Sequence, residues 1–210
     1  MVITWYGEGC FKIQSGDYTI LIDPFDFSTG LTPPRLKPNI LLKTLVPLPI
    51  SFLSNNTDES TVKIFGAGEY NFNDINISGF ALAKESNDNF LKSIYLAEIE
   101  SLKLCFLGHA SEIPESAIQE HLEEMDILFI PAGGSPFISQ KTAVQFIKNF
   151  EPKIVIPSFY KISSLKRKSD DLQEFLEEMH QAKAMPQEKL TIKRKEVMEI
   201  KATQVIPLKI

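Results

Sequence analysis

The chain has 210 residues, of which 43% are hydrophobic and 23% charged, and its formal net charge is -5. These values are typical of a soluble globular protein with a substantial core, and they exclude the disordered and fibrous classes. The negative charge gives no general attraction to nucleic-acid phosphates. No apolar run reaches the roughly 18 residues of a membrane span, and no basic-then-apolar signal opens the chain. We therefore expect a cytoplasmic protein without a membrane partner.

The first half of the chain is predicted to be almost entirely β. Residues 2–6, 11–15 and 19–22 form a β-meander in this interpretation. Asp23 and Pro24 end the third strand, which places a carboxylate at a sheet edge, although an ordinary Asp-Pro turn explains it as well. An irregular loop is expected at residues 26–39 and a polar connection at 54–60. Further strands are predicted at residues 40–46, 62–65, 75–82, 93–99 and 102–107.

Beyond Gly108 the hydrophobic period changes to about 3.6, which predicts helices. One begins near Pro114, one is capped by Ser139, and a third is capped by Asp170 or Asp171. This order predicts stacked sheets with helices outside, in one domain spanning residues 1–210. Short strands are expected at residues 127–130, 154–156, 190–192 and 204–208, the second of them ending at Pro157.

Few residues outside this pattern suggest a catalytic or binding role. Cys10 and Cys105 form no CxxC pair, so we predict buried, unreactive thiols. The basic runs at residues 166–168 and 193–195 are predicted to be solvated surface, and nucleic acid is not an expected partner. The partner is expected to be a small molecule or another protein. His121 and His180 fall on predicted helices, where structural roles explain them.

Six short motifs occur in an order that resembles the metallo-β-lactamase superfamily, in particular its branch of mostly uncharacterised bacterial and archaeal metal-dependent hydrolases. The resemblance is clearest over residues 1–160, and residues 161–210 would complete the domain. It implies an α/β fold, the αββα sandwich, with two mixed sheets face to face, helices outside and a zinc site at the sheet edges. The motifs are GlyGluGlyCysPhe at 7–11, IleLeuIleAspProPhe at 20–25, GlyAlaGlyGluTyr at 66–70, CysPheLeuGly at 105–108, IleProAlaGlyGly at 130–134 and GluProLysIleValIlePro at 151–157.

The resemblance also implies where zinc ligands would lie, and most of them are missing. The family motif ThrHisXaaHisXaaAspHis corresponds to residues 44–50, which read ThrLeuValProLeuProIle. Leu45, Pro47, Pro49 and Ile50 have no side chain that binds zinc. Residues 157–160 read ProSerPheTyr where the family has ProXaaHisTyr. The remaining differences are Glu8 in place of a histidine, no histidine near Ala83 and Lys84, and His109 in place of a bridging aspartate.

Asp23 is retained, and in the family this carboxylate lies behind the metal ligands. The resemblance therefore implies a homologue that has lost its zinc motif and needs no cofactor, although zinc is the ancestral one. We predict an inactive binding or structural homologue, a pseudoenzyme. The predicted pocket at the former site contains Glu8, Asp23, Thr44, Leu45, Pro47, His109, Glu112, Ser158 and Tyr160.

A hydrolase acting on a small ester, lactone or phosphodiester is the alternative. It would use one metal held by His109, Glu112, Glu8 and Asp23, or Ser158 as a nucleophile with His109 as base. The sequence does not set the geometry of either arrangement. A role associated with nucleic acid is a third hypothesis, because some relatives process RNA.

Overall fold

The computed structural model describes residues 1–50 and 60–210. One mixed sheet contains the meander at the start of the chain and has the strand order β13-β1-β2-β3-β4-β6. Neighbours pair antiparallel from β13 to β3 and parallel from β3 to β6. Its strands are β1 (Val2–Gly7), β2 (Cys10–Ser15), β3 (Tyr18–Ile22), β4 (Ile40–Leu42), β6 (Val62–Ile64) and β13 (Leu190–Thr191).

A second mixed sheet has the order β14-β12-β11-β10-β9-β8-β7, and β5 pairs with β9. Strands β7 to β10 pair antiparallel, whereas β10, β11, β12 and β14 are parallel. Its strands are β5 (Leu45–Pro47), β7 (Gly68–Phe72), β8 (Ile75–Ala81), β9 (Phe90–Ile99), β10 (Leu102–Phe106), β11 (Ile127–Pro131), β12 (Ile154–Ser158) and β14 (Gln204–Val205).

Helices α1, α2 and α3 follow the parallel strands β10, β11 and β12 of the second sheet, whereas α4 follows β13 of the first sheet. Two of the predicted caps are confirmed, since the Ser139 side chain accepts a hydrogen bond from the backbone N–H of Thr142 and that of Asp171 accepts one from Gln173. No helix among the described residues is both long and apolar enough to cross a bilayer. The helices are α1 (Ser116–Leu122), α2 (Gln140–Phe150), α3 (Leu172–Glu178) and α4 (Arg194–Met198).

The main core lies between the two sheets. Phe11 of the first sheet meets Phe129 of the second edge to face, with ring centroids 4.8 Å apart. Trp5 is also fully buried, and Cys105 belongs to the same cluster. Cys10 is buried in a smaller cluster, and burial raises the pKa of both thiols, as predicted. The predicted αββα sandwich is confirmed.

Some predicted elements were wrong in their limits. Residues 40–46 do not form one strand, because the chain crosses from one sheet to the other at Lys43 and Thr44. Strand β12 does not end before Pro157 but continues through it to Ser158. Its neighbour β14 pairs only with Ile154 and Val155, so Pro157 does not interrupt the pairing of these two strands. Helix α4 and strand β7 were not predicted. The polar connection predicted at 54–60 lies, except for Ser60, outside the described residues.

Candidate functional site

The candidate site lies where several strands end. Asp23 follows β3, Thr44 follows β4, His109 follows β10 and Phe159 follows β12. Strands β3 and β4 are parallel, as are β10, β11 and β12, so their carboxyl ends meet at one edge of each sheet. This edge is the usual location of ligand sites in sheets with parallel strands.

Asp23, Thr44 and His109 form one hydrogen-bonded group. The Thr44 backbone N–H donates to Asp23 Oδ1 over 2.7 Å, and the Thr44 hydroxyl donates to Asp23 Oδ2 over 2.6 Å. Thr44 Oγ1 lies 2.7 Å from His109 Nδ1, and His109 Nδ1 lies 3.6 Å from Asp23 Oδ2. Asp23 and Thr44 are buried, at 7% and 1% exposure. Each oxygen of the carboxylate therefore accepts one hydrogen bond from Thr44.

These bonds determine the tautomer of His109. The Thr44 hydroxyl donates its one hydrogen bond to Asp23, so Thr44 Oγ1 accepts a hydrogen bond from the N–H at His109 Nδ1. Burial lowers the pKa of His109; the charges of Asp23 and Glu8 oppose this shift, and Lys92 and Lys43 add to it. The imidazole is consequently neutral near pH 7, with its proton on Nδ1 and the lone pair of Nε2 unused by this group.

Gly108 allows the chain before His109 to pass close to Thr44. Gly108 has a φ of +50°, and a Cβ atom at this position would lie 2.1 Å from Thr44 Oγ1. With no side chain here, the backbone N–H of His109 also reaches Thr44 Oγ1, over 3.2 Å.

Asp23 and Phe159 have φ values of 43° and 59°, which are unfavourable for residues with side chains. Backbone strain of this kind concentrates at functional sites.

Arg167 covers the aromatic side of the site. Its guanidinium binds the Glu8 carboxylate through Nη2–Oε2 at 2.9 Å and Nε–Oε1 at 3.2 Å. It also lies 5.0 Å from the centre of the Phe137 ring and donates to the backbone carbonyl of Phe159. The prediction that residues 166–168 are merely solvated surface is wrong for Arg167, whose side chain is 22% exposed. The prediction is right for the exposed run at 193–195.

Together these elements enclose a cavity of about 330 Å³. Phe159 lies against His109, with ring centroids 5.0 Å apart, and against Phe137 at 4.1 Å. Lys43 and Phe25 also contribute to the lining. The cavity is lined by Glu8, Gly9, Asp23, Pro24, Phe25, Thr29, Lys43, Leu45, Pro47, His109, Phe137, Phe159 and Arg167.

Of the nine residues proposed from the sequence for this pocket, five line the cavity and one lies directly behind it. Thr44 is the residue behind it. Glu112 lines a separate cavity of about 170 Å³. Ser158 is 2% exposed, and no hydrogen bond within the described part of the chain joins it to His109. Tyr160 donates its hydroxyl proton to the Leu208 carbonyl, away from the site. The five lining residues are Glu8, Asp23, Leu45, Pro47 and His109.

A second, partly buried polar group lies next to residues 83 and 84, where the resemblance would place another histidine. Glu85 Oε2 accepts hydrogen bonds from Lys92 Nζ and from the backbone N–H of Ser111, each over 2.8 Å. The Ser111 hydroxyl donates to the same oxygen, and the backbone N–H of Glu112 donates to Oε1 over 3.1 Å. A polar network therefore stabilises this corner.

The side chains present do not fit a zinc centre. Leu45, Pro47 and Phe159 are apolar at positions where the resemblance would place ligands, and the Glu8 carboxylate is bound by Arg167. Across residues 1–50 and 60–210, no three side chains of His, Cys, Asp or Glu are grouped so that they could hold a metal ion. Zinc needs several such ligands converging on one point.

Comparison with known proteins agrees with the fold. A family model described as a beta-lactamase superfamily domain matches residues 2–158. A metal-dependent hydrolase of Natranaerobius thermophilus is 24% identical over 186 residues, covering 76% of this chain and 83% of that protein.

Two solved structures resemble this fold to different degrees. The first, from Thermotoga maritima, carries the description of a Zn-dependent hydrolase of the metallo-beta-lactamase superfamily. It superposes with a TM-score of 0.79 at 24% identity over 100% of both chains. The second, an isothiocyanate hydrolase from Delia radicum gut bacteria, has a TM-score of 0.64 at 11% identity and covers 91% of this chain and 99% of its own. From the family match and the shared sandwich, this chain belongs to the metallo-β-lactamase superfamily.

Proposed function

We propose that this chain is a member of its superfamily that works without a zinc centre and binds a small molecule instead of hydrolysing one. The observation that carries this proposal is the identity of the residues lining the cavity. Leu45, Pro47 and Phe159 occupy positions where the resemblance puts metal ligands, and all three are apolar. A cavity with apolar walls and a few polar groups suits the binding of a small organic molecule.

The replacements also explain how the fold can be stable without a metal. Phe159 is 2% exposed and Leu45 is half-buried, and burial of apolar area contributes roughly 25 cal/mol per Å² removed from water. Pro47 and Pro49 are exposed and contribute by restricting the unfolded chain. The hydrogen bonds that join Asp23, Thr44 and His109 connect the two sheets at the same place. In this proposal, packing and hydrogen bonds replace the stabilisation that bound zinc gives to relatives that use it.

The hydrolase alternative has one supporting feature, the unprotonated Nε2 of His109 at a cavity of about 330 Å³. Such a nitrogen can act as a general base. The rest of the proposed machinery is dispersed, because Glu112 lines another cavity and Glu8 is paired with Arg167. A screen of ester, lactone and phosphodiester hydrolysis, with His109→Ala as the comparison, separates the two functions. Hydrolysis that disappears in His109→Ala would favour the alternative.

Metal content tests the proposal directly. We expect protein expressed in zinc-supplemented medium and then dialysed to retain less than about 0.1 zinc ion per chain, because no converging ligand set holds the ion. Its thermal unfolding midpoint should also be unchanged by a chelator, since no bound metal contributes to stability. Elemental analysis by mass spectrometry gives the first result and calorimetry the second. Nearly one zinc per chain after dialysis would rule out this function.

A further inference from the structure

We propose that the cavity recognises a small organic anion, bound by the Lys43 ammonium group, that carries a hydroxyl or N–H group donating a hydrogen bond to His109 Nε2. The apolar part of the ligand lies against the aromatic walls. This inference rests on the proposed binding function and specifies the chemistry of the ligand.

Lys43 is the cation available to a ligand. It lines the cavity and is half-buried, and its ammonium group has no ion pair or hydrogen bond with any described residue. The other cation at the cavity, Arg167, already binds both carboxylate oxygens of Glu8. A partly desolvated ammonium group without a partner gains more from an anion than an exposed one does.

The two carboxylates at the cavity do not cancel this preference. Asp23 is 5% exposed at its side chain, and its two oxygens accept hydrogen bonds from Thr44. The Glu8 side chain is 12% exposed and is neutralised by Arg167. Both acidic groups therefore have hydrogen-bonded partners, whereas the Lys43 ammonium group has none among the described residues and is only attracted at longer range by the exposed Asp26. The lining offers a ligand one unsatisfied positive charge.

His109 supplies the second polar contact. Its Nδ1–H is used by Thr44, which leaves Nε2 as a hydrogen-bond acceptor on a ring that is 22% exposed. An acceptor selects ligands that carry a donor. Because Asp23 fixes the direction of the Thr44 hydroxyl, it also fixes the tautomer that gives this selectivity. Asp23 and Thr44 act here as positioning residues.

The remaining wall sets the size and character of the ligand. Phe25, Phe137 and Phe159 line the cavity with aromatic surface, and Leu45 and Pro47 add aliphatic surface. A cavity of about 330 Å³ is at the lower end of the roughly 300–1,000 Å³ range of small-molecule sites. A compact ring carrying one carboxylate and one donor matches this volume and this pattern of polar groups.

The test uses matched probes on the full chain. The 2-, 3- and 4-hydroxybenzoates carry both groups, the corresponding methoxybenzoates lack the donor, and the hydroxybenzyl alcohols lack the anion. Affinities are measured by NMR titration of ¹⁵N-labelled protein, following His109 and the backbone of the cavity. We expect at least one hydroxybenzoate to bind about fivefold or more tightly than both of its analogues, because each analogue leaves one polar contact unmade.

Protein variants locate the two contacts. Lys43→Met should remove the preference for the benzoate over the alcohol, and His109→Phe should remove the preference for hydroxyl over methoxy. Lys12→Met is the matched control, because Lys12 is also half-buried in the first sheet but does not line the cavity. It should leave all affinities unchanged. If His109→Phe does not fold, the methoxy probes still test the same contact in the unaltered protein.

The possible results distinguish failure of the ligand assignment from failure of the proposed binding function. Equal or tighter binding of the hydroxybenzyl alcohols relative to the hydroxybenzoates would overturn the anion assignment while the cavity remained a binding site. No binding of any probe at about 10 mM, a concentration that reveals even very weak sites, would overturn the ligand class. Zinc retention, by contrast, would overturn the proposed function itself, whatever the probes do.

Discussion

Replacement of Thr44 by valine is expected to destabilise the protein by about 2–4 kcal/mol, although the two side chains have nearly the same shape. Valine removes the hydroxyl that donates to Asp23 Oδ2 and accepts from His109 Nδ1. A buried carboxylate and a buried N–H group then each lose a partner. Urea unfolding monitored by circular dichroism measures the loss, and we expect the pKa of His109 to rise as Asp23 faces the imidazole directly.

Two control variants distinguish the stability effect of the Thr44 hydroxyl from the effects of its methyl group and of its position in the fold. Thr44→Ser keeps the hydroxyl and should cost only about 1 kcal/mol for the lost methyl group. Thr61→Val removes a hydroxyl that donates to the Pro38 carbonyl at another buried position, and it should also cost about 1 kcal/mol. If Thr44→Val costs no more than Thr61→Val, the group formed by Asp23, Thr44 and His109 does not stabilise the site.

Much of the fold was predictable because its signals are local. The meander at the start of the chain has the expected strands within a residue or two, and Ser139 and Asp171 cap the helices that they were predicted to cap. The predicted single strand at 40–46 failed because a β-prone run, interrupted only by Lys43 and Thr44, does not reveal a change of sheet. At Thr44 the hydrogen bonds to Asp23 and His109 determine the path of the chain.

The site was less predictable because its contacts join distant parts of the sequence. The resemblance identified Asp23 and His109, which follow strand ends, and Leu45, which begins β5. Arg167 was assigned to solvent because it lies in a short basic run, yet it pairs with Glu8, which is 159 positions away. Lys43 had no distinguishing signal, since it is a single lysine between Leu42 and Thr44 in a β-prone run. Periodicity describes which face a residue occupies, but it does not describe which remote side chain meets it.

Substitution of Glu85 by alanine is the second change with a large expected effect, about 2–4 kcal/mol. Its carboxylate is 10% exposed, and its main partner, Lys92, is 14% exposed. Alanine would leave the Lys92 ammonium with the Ser111 hydroxyl at 3.2 Å and would leave two backbone N–H groups without an acceptor. Unfolding in urea at pH 7 measures the effect. Glu85 lies in the segment before β9, Lys92 lies in β9 and Ser111 follows β10. Removal of the Glu85 carboxylate should therefore weaken the contacts of that segment with β9 and with the chain after β10.

The pH dependence identifies the charge as the cause. Burial by itself raises the pKa of Glu85, but the hydrogen bonds from Lys92 and Ser111 outweigh it and leave the pKa below its ordinary value of 4.5. A depressed carboxylate pKa contributes stability above the ordinary value, and this contribution is lost as the pH falls through the folded pKa. The stability difference between the wild type and Glu85→Ala should therefore be constant near neutral pH and decrease below about pH 4.5.

Glu115→Ala is the matched control for Glu85→Ala, because Glu115 pairs with Lys84 on the surface of the same region, with the two side chains 52% and 77% exposed. Its removal should cost less than about 0.5 kcal/mol, since solvent screens an exposed pair. The double variant Glu85→Ala with Lys92→Met should recover part of the loss, because it removes the unpaired ammonium group as well. Equal costs for Glu85→Ala and Glu115→Ala, or a difference that does not change in acid, would show that this network does not stabilise the corner.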